Sequence, residues 1–300
     1  MPSPLNRLHI FLALCLACGL GLAGFFWLGQ PRKSALVRQI DPSPAIVTSD
    51  SAPQPRQIFF RYTGVDDNYG KLAVVNYPQL GPPRFIDGLS CEAVYFAAGH
   101  GICLTANRGV FTTYAAQLFD AHFKTQFTLP LRGGPSRTRV SADGKIAGLT
   151  VFISGHGYLS LDFSTETLLV ETATGKTLAT LEDFAVTRAG QLFKAKDFNF
   201  WGVTFTPDSR HFYCTLSSDQ KHYLVAGDIA ARTAQVVHKN VECPSVSPDG
   251  TRVAYKKRFI ENERLFWQLH VLDLATQTET PLAEKRSVDD QIEWLDNAQV

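Results

Sequence analysis

The stretch Glu242-Cys-Pro-Ser-Val-Ser-Pro-Asp-Gly-Thr-Arg-Val-Ala-Tyr255 decides the fold. One strand-like run enters a Ser-Pro-Asp-Gly turn and a second, Arg252–Tyr255, leaves it. Proline presets φ for the first turn position, aspartate bonds to nearby backbone, and glycine accepts φ > 0. The stretch therefore predicts a tight hairpin between two adjacent strands.

The same turn recurs. Ser141-Ala-Asp-Gly144, Thr206-Pro-Asp-Ser209 and Leu295-Asp-Asn-Ala298 resemble Ser247-Pro-Asp-Gly250, and Ala97-Ala-Gly-His100 is a more divergent copy. The repeat-turn residues are thus Asp143, Gly144, Pro207, Asp208, Pro248, Asp249 and Gly250. Gly99 to Asp143 is 44 residues, Asp208 to Asp249 is 41, and Asp249 to Asp296 is 47. Such a period is that of a four-stranded propeller blade. The 65 residues from Asp143 to Asp208 hold a blade plus an insertion, placed around Phe184–Phe198. Val170–Lys176 and Val271–Gln277 each look like a third strand ending in a turn.

Other short strand-like runs, among them Ile58–Arg61, Lys71–Val75, Val110–Tyr114, Ile146–Ile153 and His211–Leu216, are separated by Gly, Asp, Asn, Ser and Pro. No long 3.6-residue stripe follows residue 56. The expected fold is all-β, a β-propeller of five to six four-stranded blades. Ile58–Arg61, Lys71–Val75 and Arg84–Ile86 look like later strands of a blade without an innermost strand. If they join the C-terminal strand the ring closes with five blades, or with six if the insertion forms one; otherwise it is open.

These repeats, closest at 141, 206 and 247, resemble the WD-like repeat of TolB-type translocation proteins. The resemblance covers about residues 57–300 in architecture. It implies a six-bladed propeller on the extracytoplasmic side of a bacterial inner membrane, acting through protein contacts.

The N-terminus departs from that family, whose members are usually secreted and soluble. Leu8–Leu28 is 21 residues without Asp, Glu, Lys or Arg. As a helix it covers the ~30 Å hydrocarbon core. Gly21-Leu22-Ala23 offers a cleavage site and Leu16-Ala17-Cys18 a partial lipobox, but Phe25–Leu28 carry the apolar run past both. A signal anchor over 1–29 is the favoured reading, and the basic flanks leave its orientation open. Residues 30–55 contain Pro31, Pro42, Pro44, Pro53 and Pro55 and read as an extended linker. Residues 56–300 form the propeller domain. A bacterial inner-membrane location, with the propeller outside the cytoplasm, is the corresponding expectation.

A net charge of +1 in 300 residues argues against a nucleic-acid binder. Aligned on the turns, the innermost strands start at Glu92, Ser136, Trp201, Glu242 and Asp290, with Asp289 beside the last. Innermost strands line a propeller's channel, so Glu92, Glu242, Asp289 and Asp290 are the candidate ligand- or partner-binding residues. They would form an acidic funnel for a divalent cation or a basic partner segment; no other cofactor is expected. The plainer alternative is that each carboxylate bonds loop amides in its own blade.

No catalytic residue is identified. Gly-x-Ser-x-Gly and HExxH are absent, and Thr174-Gly-Lys-Thr177 lacks the upstream glycine of a phosphate loop. His100, His156, His211, His222 and His238 read as surface or turn residues, and Lys256-Lys-Arg258 as a solvated face. Trp201, Trp267 and Trp294 are either interface anchors or blade packing. Cys91 and Cys103 flank one hairpin, as a disulfide or as buried thiols. The leading functional expectation is a protein-binding module in the cell envelope with an envelope or membrane protein as partner. The alternative is a lactonase-like or glycan-acting propeller enzyme working through channel-mouth carboxylates.

Overall fold

Turn residues cut the chain into short strands, and those strands stack into five separate sheets. The computed structural model describes residues 56–154, 163–261 and 264–300. Blade 1 is the three-stranded sheet β1 (Arg56–Arg61), β2 (Lys71–Tyr77) and β3 (Arg84–Ser90). Blade 2 is β4 (Ala93–Ala97), β5 (His100–Arg108), β6 (Thr112–Asp120) and β7 (Thr125–Leu131). Blade 3 is β8 (Gly134–Val140), β9 (Ile146–Ser154), β10 (Ser164–Glu171) and β11 (Thr177–Thr180).

Blade 4 holds six strands. β12 (Ala185–Arg188) and β13 (Gln191–Phe193) precede β14 (Asn199–Phe205), β15 (His211–Ser218), β16 (Lys221–Asp228) and β17 (Thr233–Lys239). Blade 5 is β18 (Glu242–Val246), β19 (Arg252–Glu261), β20 (Arg264–Asp273) and β21 (Glu279–Pro281). The strands β4, β8, β14 and β18 pack side by side as the innermost layer. A six-blade count is therefore corrected to five. The insertion after blade 3 makes no blade of its own: β12 lies parallel to β17 and extends blade 4 outward.

The core lies between successive blades. Ile102, Leu104, Ala116 and Leu118 of blade 2 interdigitate with Val140, Leu149 and Val151 of blade 3. Full burial of one such aliphatic side chain contributes roughly 1.5–3 kcal/mol. Where β14 passes β18 the backbones nearly touch. Gly202 has φ +64, and a Cβ there would stand 2.8 Å from Cys243 Cα.

The turns form a second layer of contact. Ser141, Thr206 and Ser247 hydroxyls each donate to the aspartate two residues on, at 2.7, 2.6 and 2.6 Å. That aspartate accepts the backbone N–H two residues further, from Lys145, Arg210 and Thr251. Neighbouring turns also touch. Asp143 N–H donates to Ser209 Oγ, and Asp249 N–H donates to Asn297 Oδ1. Gly144, at φ +76, abuts Ala98 and His100, and Gly250 abuts Pro207. All five predicted turns thus run in sequence around one face.

Strand direction defines the two faces. Each innermost strand runs from the channel mouth to the turn face, and the second strand returns. In blade 1 the last strand, β3, ends at Ser90 where β4 begins at Ala93, so β1 runs toward the mouth. It has the direction of a second strand, and among the described residues the blade has no innermost one, as the sequence predicts. The C-terminal stretch Gln291–Trp294 runs mouth to turn without pairing as a strand. Its Ile292 and Trp294 pack on Ala254, Leu269 and Val271 of blade 5.

Cys91 and Cys103 form a disulfide with a Cα–Cα distance of 5.3 Å, whereas Cys214 and Cys243 are free and buried. Val110 and Phe111 occupy the β5–β6 tip rather than a strand, because β6 starts at Thr112. Among the described residues no helix is long and apolar enough to cross a membrane. The predicted anchor over 8–28, the linker over 30–55 and His156 lie outside the described residues.

Candidate functional site: the channel mouth

The start of each innermost strand places its side chain at the mouth, and a cation meets every carboxylate there. Glu92, just before β4, is paired with Arg61 at 3.2 Å and Arg108 at 2.6 Å. Glu242 opens β18 and is fully buried. Its Oε1 lies 2.8 Å from Arg258 Nε and 3.0 Å from His222 Nδ1. Asp289 is paired with Lys256, and Arg137 reaches Asp289 at 3.5 Å and Asp290 at 3.3 Å. The carboxylates are held in three separate ion-pair groups and do not share one cluster. Nor do they bond loop amides of their own blades alone. Among the described residues no group of three or more His, Cys, Asp and Glu is gathered to hold a metal ion.

The electrostatics follow from that pairing. Burial alone would raise the Glu242 carboxyl, but the His222 bond and the charges of His222, Arg258 and Lys256 outweigh it and hold the group at about 2. Burial opposes the charge on Lys256 as well, yet the negative groups beside it, Asp289 among them, raise its ammonium above the usual range. Lys256 is fully buried, with its Nζ 4.7 Å from the Trp267 ring centroid. The expectation of a solvated Lys256-Lys-Arg258 face is therefore corrected. Lys256 lies opposite Glu242 in the β18–β19 register, and the two-residue period carries Arg258 to the same face. His222 is corrected too: it is buried, edge-on to Trp201 at 5.4 Å.

Arg139 ties the layers together. Its guanidinium donates to Ser245 Oγ and to the Ile292 carbonyl, each at 3.0 Å, and pairs with Glu293 at 3.1 Å. It also sits 4.8 Å from the Tyr95 ring centroid. Arg137, Arg139, Lys256 and Arg258 were not among the sequence candidates. Their signal is basic residues two apart on strands beside acidic strand starts. Trp201, Trp267 and Trp294 are buried and serve blade packing.

The exposed large apolar side chains have a different distribution. Val65, Val110, Phe111, Ile153 and Ile260 stand at or beside second-to-third-strand hairpin tips of blades 1, 2, 3 and 5. Leu192 stands near the β12–β13 tip of blade 4. By strand direction all six are at the mouth face, with Tyr69 of the β1–β2 hairpin beside Val65, whereas Leu80, between β2 and β3, is exposed at the turn face and Phe127 and Val300 lie outside the set. Between β1, the start of β4 and the C-terminal stretch lies a cavity of about 710 Å³.

No family model matches the chain, and no curated protein matches it. Solved structures do. TolB from Acinetobacter baumannii is similar at 16% identity, TM-score 0.49, over 72% of this chain and 49% of that one. A TolB described as putative, from Agrobacterium tumefaciens, is similar at 12% identity, TM-score 0.38, over 61% and 62%. An oligogalacturonate lyase in complex with manganese is similar at 10% identity, TM-score 0.46, over 70% and 58%. The chain spans about half to three-fifths of these proteins.

Proposed function

We propose that this chain is a membrane-anchored, extracytoplasmic propeller that binds a protein partner in the bacterial cell envelope through its mouth face. The observation that carries the reading is the apolar rim. Val65, Val110, Phe111, Ile153, Leu192 and Ile260 come from all five blades and lie at the mouth end of each. Scattered exposed apolar residues are ordinary, but a set gathered on one face is the composition of a docking surface. Inside the rim, Glu92, Asp289 and Asp290 with Arg61, Arg108 and Arg137 form a near-neutral polar floor suited to hydrogen bonding with a polypeptide, and the buried Glu242 supports it from below.

Two further features support the location. The Cys91–Cys103 disulfide belongs to an oxidising compartment. The apolar sequence Leu8–Leu28 followed by a proline-rich spacer is that of a tethered domain.

The test is topological. Intact spheroplasts carrying the full chain are treated with a membrane-impermeant protease, and residues 56–300 are probed. Digestion of the domain is expected. Protection until lysis would place the domain in the cytoplasm and overturn the proposed compartment.

A further inference from the structure

Among the described residues blade 1 has three strands where every other blade has at least four, and the innermost position beside β1 is open. Among the described residues β1 pairs only with β2. Tyr62 N–H donates to the Lys71 carbonyl, so alternation turns Phe60 and Ile58 toward β2 as well. The backbone groups of Gln57 and Phe59 then point away from the sheet. No described backbone group bonds to them. An unpaired strand edge is a template for another extended chain.

The surroundings describe the strand that would fit. The cavity of about 710 Å³ runs along the whole of β1. Phe59 packs into blade 2 against Phe96, at 4.5 Å between ring centroids. Ile58 and Phe60 fall on the opposite face of β1, outside that cluster. Four arginines line the cavity, Arg56, Arg61, Arg137 and Arg139, against three carboxylates, Glu92, Asp290 and Glu293. Arg56 has no ion-pair partner among the described residues. The chain's own C-terminal stretch forms another wall of this cavity, where it packs on blade 5 and does not pair with β1. Trp294 Nε1 donates to the Ser245 carbonyl, and Gln291 donates to the Pro244 carbonyl.

We propose that the cavity beside β1 receives an extended, acidic peptide segment of a protein partner, which adds to the free β1 edge as an antiparallel strand running from mouth to turn face. The inference rests on the protein-binding reading and names the chemistry of the partner. Alternate apolar residues of that segment lie beside Ile58 and Phe60, and its carboxylates meet Arg56.

The probe is a fluorescent peptide copying residues 289–297, Asp-Asp-Gln-Ile-Glu-Trp-Leu-Asp-Asn, an acidic sequence with alternating apolar positions. Its anisotropy is followed as the full chain in detergent is added. Saturable binding is expected. Gln57→Pro removes an outward N–H from an exposed edge position, which an edge strand tolerates, and should weaken binding about tenfold. Arg56→Glu should weaken it several-fold.

Amide exchange at single-residue resolution gives a second readout that survives a misfolded variant. In the free protein Gln57 and Phe59 amides should exchange fast, Ile58 and Phe60 slowly, and the peptide should slow the first pair. Slow exchange at Gln57 and Phe59 without peptide would mean that the chain's own termini or a second copy already cover the edge, overturning the proposal. Absent binding, or binding unaltered by both substitutions, would overturn it also. Either failure leaves the spheroplast result untouched, so loss of this site and loss of the envelope reading are distinguishable.

Discussion

The two ends of the innermost strands are stabilised by different physics. At the turn end, Ser141–Asp143, Thr206–Asp208 and Ser247–Asp249 bond within a few residues of one another, and neighbouring turns are joined by single hydrogen bonds, Asp143 N–H to Ser209 and Asp249 N–H to Asn297. At the mouth end, partners come from distant sequence: Arg137 with Asp289, Arg61 with Glu92, His222 with Glu242; further along the channel Arg139, near the turn end of β8, joins Ile292 and Glu293. The turn end is modular, so damage there should stay within one blade. The mouth end is shared, so damage there should spread between blades.

Glu242→Gln should show the largest effect. It leaves Arg258 without its buried counter-charge, while Lys256 keeps Asp289, and loss of one partner of such a pair costs about 3–5 kcal/mol. Urea denaturation at pH 7 reads this directly. Because the folded carboxyl sits at about 2 against 4.5 in the unfolded chain, its stabilisation is present above pH 4.5 and disappears as pH falls toward 2. The gap between wild type and variant should narrow over the same window. A constant gap would contradict the ion-pair account.

Arg139→Met comes next. The change keeps much of the aliphatic bulk but leaves the Ile292 carbonyl and Ser245 Oγ without this donor and Glu293 with only the Tyr95 hydroxyl, at a cost of about 2–3 kcal/mol by denaturant titration. It should also quench or shift Trp294 fluorescence, since Ile292 and Trp294 would lose their hold on blade 5. An unchanged Trp294 signal would show that Arg139 does not organise the C-terminal stretch.

Glu182 sharpens the contrast with the opposite sign. It has no cation partner among the described residues, and burial pushes its carboxyl up to about 7, despite a bond from the Thr167 N–H. Stability from its neutral form is full below pH 4.5 and is lost as pH rises through 7. Glu182→Gln should therefore stabilise the protein at pH 8 by roughly 1–3 kcal/mol and change little at pH 4. Thermal melts at the two pH values decide it.

The smallest effects belong to the turns. Asp249→Ala removes local bonds from Ser247 and Thr251 at an exposed site and should lower the urea midpoint only slightly. Gly144→Ala combines φ +76 with a Cβ placed 2.9 Å from the His100 ring, for about 1–2 kcal/mol. Combining it with Glu242→Gln should be additive, because the two ends share no partner.

That division also explains what was legible in the sequence. Ser-Pro-Asp-Gly works within four residues, so turns, blade period and the missing innermost strand of blade 1 were all readable from spacing. The positions Glu92, Glu242 and Asp290 were readable for the same reason, as offsets from a turn. Their partners were not. Lys256 and Arg258 look like a solvated run until β18 is laid beside β19, and nothing local to His222 announces Glu242. The insertion at Phe184–Phe198 was visible as excess length, but its parallel docking on β17 is a tertiary outcome. The apolar rim is not legible in the sequence, because its members are single residues on separate hairpins, joined only by strand direction.

One measurement tests the central claim, that the mouth face meets a protein partner. A photo-crosslinking residue is placed in the full chain, in living cells, at Phe111 or Ile260 on the mouth face and at Lys145 or Thr251 on the turn face. The account predicts the same discrete crosslinked protein from Phe111 and Ile260 and none from Lys145 or Thr251. Crosslinks confined to Lys145 and Thr251, or none from any position, would contradict it.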